Sequence, residues 1–302
     1  MAALYHICRR ARREDIRRAR PLWEPDRVLY DADVWCNLPA LLEDLWDRDL
    51  VSFAIIESVP SLVPRLFGGI SFVRAESVMQ ARASSSTLPS FILSAAMRGD
   101  KPLLTPREVA NENVRGTLNL MNFLGNIGVI DLTDPELANF YATSNEGYMF
   151  LHSGYAYSAM WHEVWHADHV AELQTQGLKI ERTIPLSNGE VSTLMSITAK
   201  DAVANPYARF SSLFFPPKPV FGFTAGEQRL IELALLESSD EQAAKEIHLS
   251  EDGVKKRWRS IYRKVEMVSP ELVDGAGSGA VRRKTLLHYL RRHLEELRPY
   301  RE

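Results

Sequence analysis

The chain has 302 residues, of which 45% are hydrophobic and 25% charged, and 36 Lys+Arg against 39 Asp+Glu give a formal net charge of -3. These values are ordinary for a globular protein and exclude a wholly disordered chain, a collagen-like repeat and a coiled-coil rod. The only two cysteines, Cys8 and Cys36, exclude a disulfide scaffold and a Cys-rich zinc module, and they favour a cytoplasmic location. At roughly 100–200 residues per domain, the length predicts two domains.

The first predicted domain, residues 1–210, has a mixed α/β pattern in which strands and helices alternate. Short runs rich in β-branched and aromatic residues predict strands, and apolar residues at helical spacing predict helices. The predicted strands are 4–10, 50–57, 66–74, 178–184 and 191–197, and 118–130 is predicted as a buried strand with a Gly-containing turn. One predicted helix begins at residue 13 and ends near Pro21, and three others cover 38–48, 134–151 and 157–176. Residues 81–90 are predicted as a loop.

A Pro-rich segment, residues 211–222, separates this domain from a second one. Pro216, Pro217 and Pro219 cannot continue a helix and favour extended backbone. Residues 223–302 predict an all-helical domain. The fold class is therefore an α+β (mixed α/β) N-terminal domain plus an all-α helix-turn-helix C-terminal domain.

The second domain begins with a pattern of capped helices. Thr224 and Glu227 predict a capping box, Ser239 and Gln242 predict another, and Ser250 predicts the cap of a third helix. The third helix has no acidic residue between positions 253 and 265.

A short helix, a tight turn and a basic amphipathic helix suit the major groove of DNA, where Lys and Arg contact phosphates and the recognition helix contacts base edges. Lys255, Lys256 and Arg259 are expected to reach bases or groove-edge phosphates. The alternative is a three-helix bundle with a solvated basic face. The candidate DNA-binding residues are Lys255, Lys256, Arg257, Arg259, Arg263 and Lys264.

About 42 residues of this region resemble the LuxR/GerE-type helix-turn-helix family. The resemblance implies DNA binding and transcriptional regulation. Gly253, Arg257 and Glu237 depart from the family pattern, which usually has Thr, His and Gly there. The positions that match without a gap are Thr224, Glu227, Ala244, Leu249, Ser250, Val254, Lys255, Ile261 and Lys264.

The motif H-E-x-x-H occurs once, from His162 to His166. On a helix, His162 and His166 would share one face and could bind zinc, and Glu163 would activate a water molecule. No third ligand is marked in the sequence, so we expect structural histidines and no metal site. A zinc-dependent hydrolase that uses these three residues is one alternative function.

The order of elements before residue 200 is similar to that of a GNAT-type acetyltransferase. A strand is followed by R-x-E-D-I at Arg12–Ile16, further strands, a helix that ends in AELQTQGLKIER and a last strand. The resemblance implies an acyltransferase fold. The loop R/Q-x-x-G-x-G/A, which would hold the pyrophosphate of coenzyme A, has no counterpart in this region, so a degenerate acyltransferase fold is a second alternative.

Together these observations favour a two-domain transcriptional regulator over an enzyme. The predicted partners are double-stranded DNA at the second domain, a small-molecule or protein signal at the N-terminal domain, and a second copy of the chain in a homodimer. No cofactor and no membrane partner are predicted. The last amphipathic helix, 281–297, packs on the helical bundle or forms the dimer seam.

Overall fold

The computed structural model describes residues 5–124, 133, 135–236, 238–274 and 279–299. The chain divides into two compact units: unit 1 contains Met1–His152 and Ala156–Phe215, and unit 2 contains Ser153–Tyr155 and Pro216–Glu302. The domain boundaries and functions predicted from the sequence for 1–210, 211–222 and 223–302 stay predictions. No helix of the described part of the chain is long and apolar enough to span a bilayer.

Unit 1 contains one sheet, whose seven described strands have the order β1-β2-β3-β4-β5-β7-β6. All neighbouring strands are antiparallel except β4 and β5, which are parallel. A parallel pair requires a crossover connection, and a helix provides it here. The strands are β1 (Tyr5–Arg10), β2 (Ser52–Val59), β3 (Val63–Val73), β4 (Leu118–Phe123), β5 (Tyr157–Val164), β6 (Lys179–Pro185) and β7 (Val191–Thr198).

The helices of unit 1 begin and end at local sequence signals. In one of them Thr105 and Glu108 form a capping box, Pro106 occupies the first position, and Gly116 ends the helix with φ +69, a conformation that glycine adopts without strain. The helices are α1 (Arg13–Arg18), α2 (Arg20–Trp23), α3 (Ala32–Asp47), α4 (Ala75–Ala83), α5 (Leu88–Met97), α6 (Pro106–Arg115), α7 (Pro135–His152), α8 (Ala167–Thr175) and α9 (Ala199–Ala204). Two 3-10 helices cover Glu24–Leu29 and Arg209–Leu213.

Aromatic rings fill the centre of the unit 1 core. Phe53 and Phe67 stack with ring centroids 4.8 Å apart, and Trp23 lies against Phe67 at 6.3 Å. All three side chains are buried, and offset aromatic contacts of this kind add to the free energy of simple area burial. This packing fixes the helices near the chain start against the antiparallel half of the sheet.

The predicted helix 157–176 is wrong in its first half. Residues 157–164 form β5, which pairs with β4 on one edge and with β7 on the other, and only α8 is helical. Six of the eight residues of β5 are buried, on both faces of the strand, so its sequence shows neither helical nor alternating periodicity. Tyr157 and Trp161 are residue types that strands favour.

The other predicted elements of unit 1 largely agree with the structure. The five predicted strands correspond to β1, β2, β3, β6 and β7, and predicted helix 134–151 corresponds to α7. Predicted loop 81–90 is too long, because α4 and α5 leave only residues 84–87 between them. The strand predicted over 118–130 ends at Phe123, and positions 125–130 of that prediction lie outside the described residues.

Unit 2 is helical in its described part. Both predicted capping boxes are present, at Thr224 with Glu227 and at Ser239 with Gln242, and Ser250 accepts a hydrogen bond from the backbone N–H of Gly253. Its helices are α10 (Ala225–Leu235), α11 (Asp240–Glu246), α12 (Glu251–Val268), α13 (Glu271–Asp274) and α14 (Gly279–Leu290), with a 3-10 helix at Leu294–Leu297. The predicted helix 281–297 is therefore interrupted after Leu290. A separate all-α helix-turn-helix domain stays a prediction.

Candidate functional site

The parallel strands β4 and β5 separate at their carboxyl ends. Their pairing stops at Asn122 and His162, whereas β5 continues to pair with β7 as far as Val164 and Thr193. In α/β sheets, the carboxyl ends of parallel strands are where the chain leaves a crevice for ligands. This edge of the sheet is therefore the first place to look for a site.

Helix α7 places three polar side chains towards this edge. Ser144, Tyr148 and His152 are four residues apart, and this spacing aligns them on one face of the helix. The rings of Tyr148 and His152 stack with centroids 3.7 Å apart. The Nδ1 atom of His152 donates to the Tyr148 carbonyl oxygen at 2.7 Å, which fixes the orientation of the buried imidazole.

The central group of the edge is the imidazole of His162. The Asn122 Nδ2 atom lies 2.9 Å and the Tyr148 hydroxyl oxygen 3.1 Å from His162 Nε2, both within hydrogen-bond distance. Burial lowers the pKa of His162 to about 4, so this imidazole is neutral at neutral pH. Burial raises the pKa of Tyr148 above its ordinary value, so the phenol keeps its proton.

The Asn122 side chain connects two histidines. Its Oδ1 atom lies 2.7 Å from His152 Nε2, and its Nδ2 atom contacts His162. The side chains of Asn122 and His162 are opposite each other in the register of the parallel pair. The backbone pairing of β4 with β5 therefore determines the geometry of the polar network.

Glu163 has a different environment from its neighbour His162. Its carboxylate accepts hydrogen bonds from the Ser192 hydroxyl at 2.6 Å and from the Leu88 backbone N–H at 2.8 Å. Burial raises the pKa of Glu163, while these two hydrogen bonds and the charge of Arg182 oppose that rise. Both carboxylate oxygens therefore hold α5 and β7 against β5.

Two cavities meet at Tyr148 and His162. The first, which we call the apolar cavity, has a volume of about 130 Å³ and extends among β2, β3, β4, β5 and α7. Its wall includes Ile56, Leu66, Ile70, Phe123, Leu151 and Val164, together with the Tyr30 hydroxyl. That hydroxyl is buried without a hydrogen-bond partner among the described residues.

The second, which we call the polar cavity, also has a volume of about 130 Å³ and is lined by the same two residues, Tyr148 and His162. Ser144 and Val164 belong to both cavities. Its remaining wall contains Tyr141, Asn145, His169, Glu172, Gln176 and Arg209. His162 and Tyr148 therefore line both cavities.

The H-E-x-x-H motif does not form a helical zinc site. His162 and Glu163 lie on β5, where successive side chains point to opposite faces, and His166 is exposed beyond the end of that strand. The His166 ring packs on Trp165 with centroids 3.6 Å apart. In the part of the chain that the structure describes, no group of three or more His, Cys, Asp or Glu side chains is placed to hold a metal ion.

The residues predicted to bind DNA are all on α12, but three of them have partners inside unit 2. Lys264 forms an ion pair with the buried Glu227 carboxylate at 2.7 Å, and Arg257 donates to the Gly226 carbonyl at 3.3 Å. Lys255 lies 3.7 Å from Asp252 across one helical turn. The remaining three, Lys256, Arg259 and Arg263, are exposed.

Sequence reasoning missed most of the groups around His162. Asn122, Tyr148, His152 and Arg209 belong to no motif, because three different elements, β4, α7 and a 3-10 helix, bring them together. One signal was available: the four-residue spacing of Ser144, Tyr148 and His152 places them on one face of a predicted helix.

No family model and no curated protein matches this sequence. Unit 1 has a mixed α/β fold with one seven-stranded sheet in its described part, and the solved structures similar to this chain include acetyltransferases. An N-acyl amino acid synthase, FeeM, from uncultured soil microbes is 11% identical, with 65% of this chain and 91% of that chain covered and a TM-score of 0.36. A spermidine N-acetyltransferase from Vibrio cholerae is 9% identical, covers 67% and 98%, and has a TM-score of 0.35. An uncharacterized protein from Bacillus halodurans is 8% identical, covers 70% and 92%, and has a TM-score of 0.37.

These comparisons correct the main functional prediction. The prediction of a DNA-binding transcriptional regulator is wrong: the similar solved structures include an N-acyl amino acid synthase and a spermidine N-acetyltransferase, and no family model matches the chain. A short helix, a turn and a basic helix recur in helical proteins without DNA binding, and here part of the basic face has intramolecular partners. The GNAT-like layout, stated as an alternative, agrees with the fold.

Proposed function

We propose that unit 1 is an acyltransferase that moves an acyl group from a thioester to an amine. The observation that carries this proposal is the neutral His162 imidazole at the open carboxyl end of the β4–β5 pair, with the Tyr148 hydroxyl 3.1 Å away. A neutral imidazole and a protonated phenol beside a cavity supply a proton acceptor and a hydrogen-bond donor.

The reaction would proceed by attack of the amine nitrogen on the thioester carbonyl carbon. The C–N bond forms and the C–S bond breaks, so the sulfur leaves as a thiolate. The proton of the attacking nitrogen passes to His162 Nε2 and from there to the thiolate, which is released as free thiol. The amine N–H takes the place of the Tyr148 hydroxyl at that atom. The hydroxyl is then free to donate to the negative charge that develops on the acyl oxygen, which is the kind of stabilisation that accelerates acyl transfer.

The apolar cavity supports the binding of an acyl chain. Its wall is mainly aliphatic and aromatic, and its volume of about 130 Å³ is close to that of a cavity that binds one benzene molecule. The unpartnered Tyr30 hydroxyl offers a donor to an acyl oxygen or to a polar chain end. Short and medium acyl groups therefore suit this cavity.

The donor is proposed as an acyl thioester without commitment to coenzyme A. The sequence of unit 1 lacks R/Q-x-x-G-x-G/A, and residues 125–132 after β4 lie outside the described part of the chain. Acetyl-, butanoyl- and hexanoyl-coenzyme A should therefore be compared with the corresponding acyl-pantetheines. Equal kcat/KM for the coenzyme A and the pantetheine donors would indicate that the protein recognises only the acyl-pantetheine part that both donors share.

The test is turnover by the purified full-length chain with these donors and a mixture of primary amines. We expect release of free thiol that depends on the amine, together with an amide product in the mass spectrum. Thioester binding without any amide product would contradict acyl transfer and favour the degenerate fold. A cytoplasmic location, a homodimer and a signal ligand stay predictions.

A further inference from the structure

The polar cavity contains an arginine without a carboxylate partner in the described part of unit 1. Arg209 is half-buried at the start of the 3-10 helix after α9, and its guanidinium lies 5.8 Å from the Phe210 ring centroid. In the same unit, Arg74 and Arg82 pair with Glu108 and Glu181 at 2.6 and 2.5 Å. A half-buried guanidinium without a counter-ion in a cavity wall favours an anionic ligand.

Two neighbouring polar atoms in the same wall also lack hydrogen-bond partners among the described residues. They are the hydroxyl of Ser144 and the Oδ1 atom of Asn145. The Ser144 side chain is only 6% exposed, and an unsatisfied buried polar atom costs about 1–3 kcal/mol. Because Asn145 Oδ1 can only accept, it suits a ligand that donates an N–H.

The charges around the cavity are compatible with a ligand that has both an amine and an anionic group. Glu172 accepts from the Tyr141 hydroxyl at 3.0 Å and from Gln176 at 2.8 Å, both through Oε1. Its negative charge favours an ammonium group before deprotonation. Arg209 is hydrogen-bonded to the neutral Tyr141 phenol, and its charge opposes the rise that burial causes in the pKa of both Tyr141 and Tyr148. Because Arg209 lines the same cavity as Tyr148 and His162, an anion bound to it would share that cavity with them.

From Arg209, Asn145 and Glu172 we infer that the acyl acceptor is a small primary amine that also carries a carboxylate. Arg209 binds the carboxylate, and the amine is held between Asn145 Oδ1 and His162 Nε2. The inference rests on the proposed acyl transfer and specifies its acceptor. In this arrangement the acyl chain occupies the apolar cavity and the acceptor occupies the polar cavity, so that the new amide bond forms beside Tyr148.

The test uses matched pairs of amines that differ by one carboxylate: glycine and methylamine, tyrosine and tyramine, histidine and histamine. Calorimetry measures binding to the full-length chain, and product formation measures transfer from the best thioester. We expect at least one pair in which the carboxylate raises kcat/KM by tenfold or more, mainly through KM. Arg209→Ala should remove this preference, and Arg209→Lys should keep part of it.

Arg107→Ala is the control, because Arg107 is exposed on α6 away from both cavities. Equal kcat/KM for both members of every pair, unchanged in Arg209→Ala, would overturn the inference while acyl transfer stands. Carboxylate-dependent binding that is lost in Arg209→Ala, with no amide product, would support the acceptor site and contradict the transfer reaction. Failure of all six amines to bind or react would overturn the inference.

Discussion

At the scale of single residues, adjacent positions on β5 have opposite roles. Near the end of β5, His162 contacts Asn122 and Tyr148 at the edge between the two cavities, whereas Glu163 accepts from Ser192 and Leu88. The alternation of a strand separates a candidate proton acceptor from a structural carboxylate. The zinc motif would have assigned the catalytic task to Glu163, whereas the proposed acyl transfer assigns it to His162.

The first prediction concerns the pH dependence that His162 produces. Its pKa in the folded chain is about 4, below the ordinary value of 6.5, so between these pH values the unfolded chain binds more protons. The contribution is therefore fully present above pH 6.5 and is lost as the pH falls towards 4. In His162→Gln, thermal melting followed by Trp fluorescence should depend less on pH between 4.5 and 6.5. An unchanged pH dependence would contradict the lowered pKa.

The same residue gives a prediction about turnover. Because the base is neutral above pH of about 4, the acidic limb of kcat for acyl transfer should not show an inflection at pH 6.5. His162→Gln should lower kcat by about 10²-fold or more, within the usual range for loss of a general base. Arg107→Ala again serves as the unaffected control, and a His162→Gln variant with normal kcat would disprove the assigned role.

Glu163 predicts a loss of stability. Glu163→Ala removes the acceptor of two hydrogen bonds at once, so we expect the free energy of unfolding of unit 1 to fall by about 2–4 kcal/mol. Glu163→Gln keeps one carbonyl acceptor and should lose less. Trp fluorescence suits this measurement, because five of the six Trp residues are in unit 1. Equal melting temperatures for both variants and wild type would show that the Glu163 carboxylate does not stabilise unit 1.

At the scale of elements, helix α7 approaches β1 so closely that a glycine is required. A Cβ atom on Gly147 would lie 2.1 Å from Cys8 Sγ and 3.1 Å from Cys8 Cβ. Gly147→Ala should therefore destabilise unit 1 by about 1–3 kcal/mol through overpacking, despite the higher helix propensity of alanine. The double variant Cys8→Ala, Gly147→Ala removes the clashing sulfur and should recover much of the loss, with Cys8→Ala as its reference. Additive effects in this double-mutant cycle would contradict the close contact.

The same elements show what sequence reasoning can and cannot predict. Capping boxes are local, so the helix starts at Thr224 and Ser239 were predicted to the residue. Strands with one solvated face or a clear turn, such as β6 and β7, were also recognised. β5 was missed because it is hydrogen-bonded on both edges, and its burial removes the periodic signal that distinguishes a strand from a helix.

The candidate site was harder to predict than the fold. The contact between Asn122 and His162 spans 40 positions, and it exists only because β4 and β5 are parallel and in that register. Arg209 follows the last strand of the sheet and shares no motif with the residues that it faces. Local sequence patterns instead indicated H-E-x-x-H and the basic helix as candidates for function. In the structure, His162 and Glu163 of that motif lie on β5, and several basic side chains of α12 have partners within unit 2.

At the scale of the whole molecule, the chain divides at Phe215 and Pro216. Each unit has its own internal network, and in unit 2 the buried Glu227 carboxylate links α10 to α12 by accepting from Ser260 and Lys264 at 2.7 Å. Pro217 and Lys218 are exposed next to the division. Short, exposed, Pro-containing segments between compact units are the usual sites of proteolytic cleavage.

The final prediction follows from this division. Limited digestion of the full-length chain with proteinase K should cut first within residues 215–221. This protease is chosen because trypsin and chymotrypsin cut poorly beside proline. It should release a C-terminal fragment of about 80 residues that circular dichroism shows to be helical. The chain unfolded in urea is the control, since it should lose this selectivity. First cuts inside α10, α11 or α12, with the Pro-rich segment intact, would contradict the division, because a compact helical unit should protect its own backbone better than the segment that precedes it.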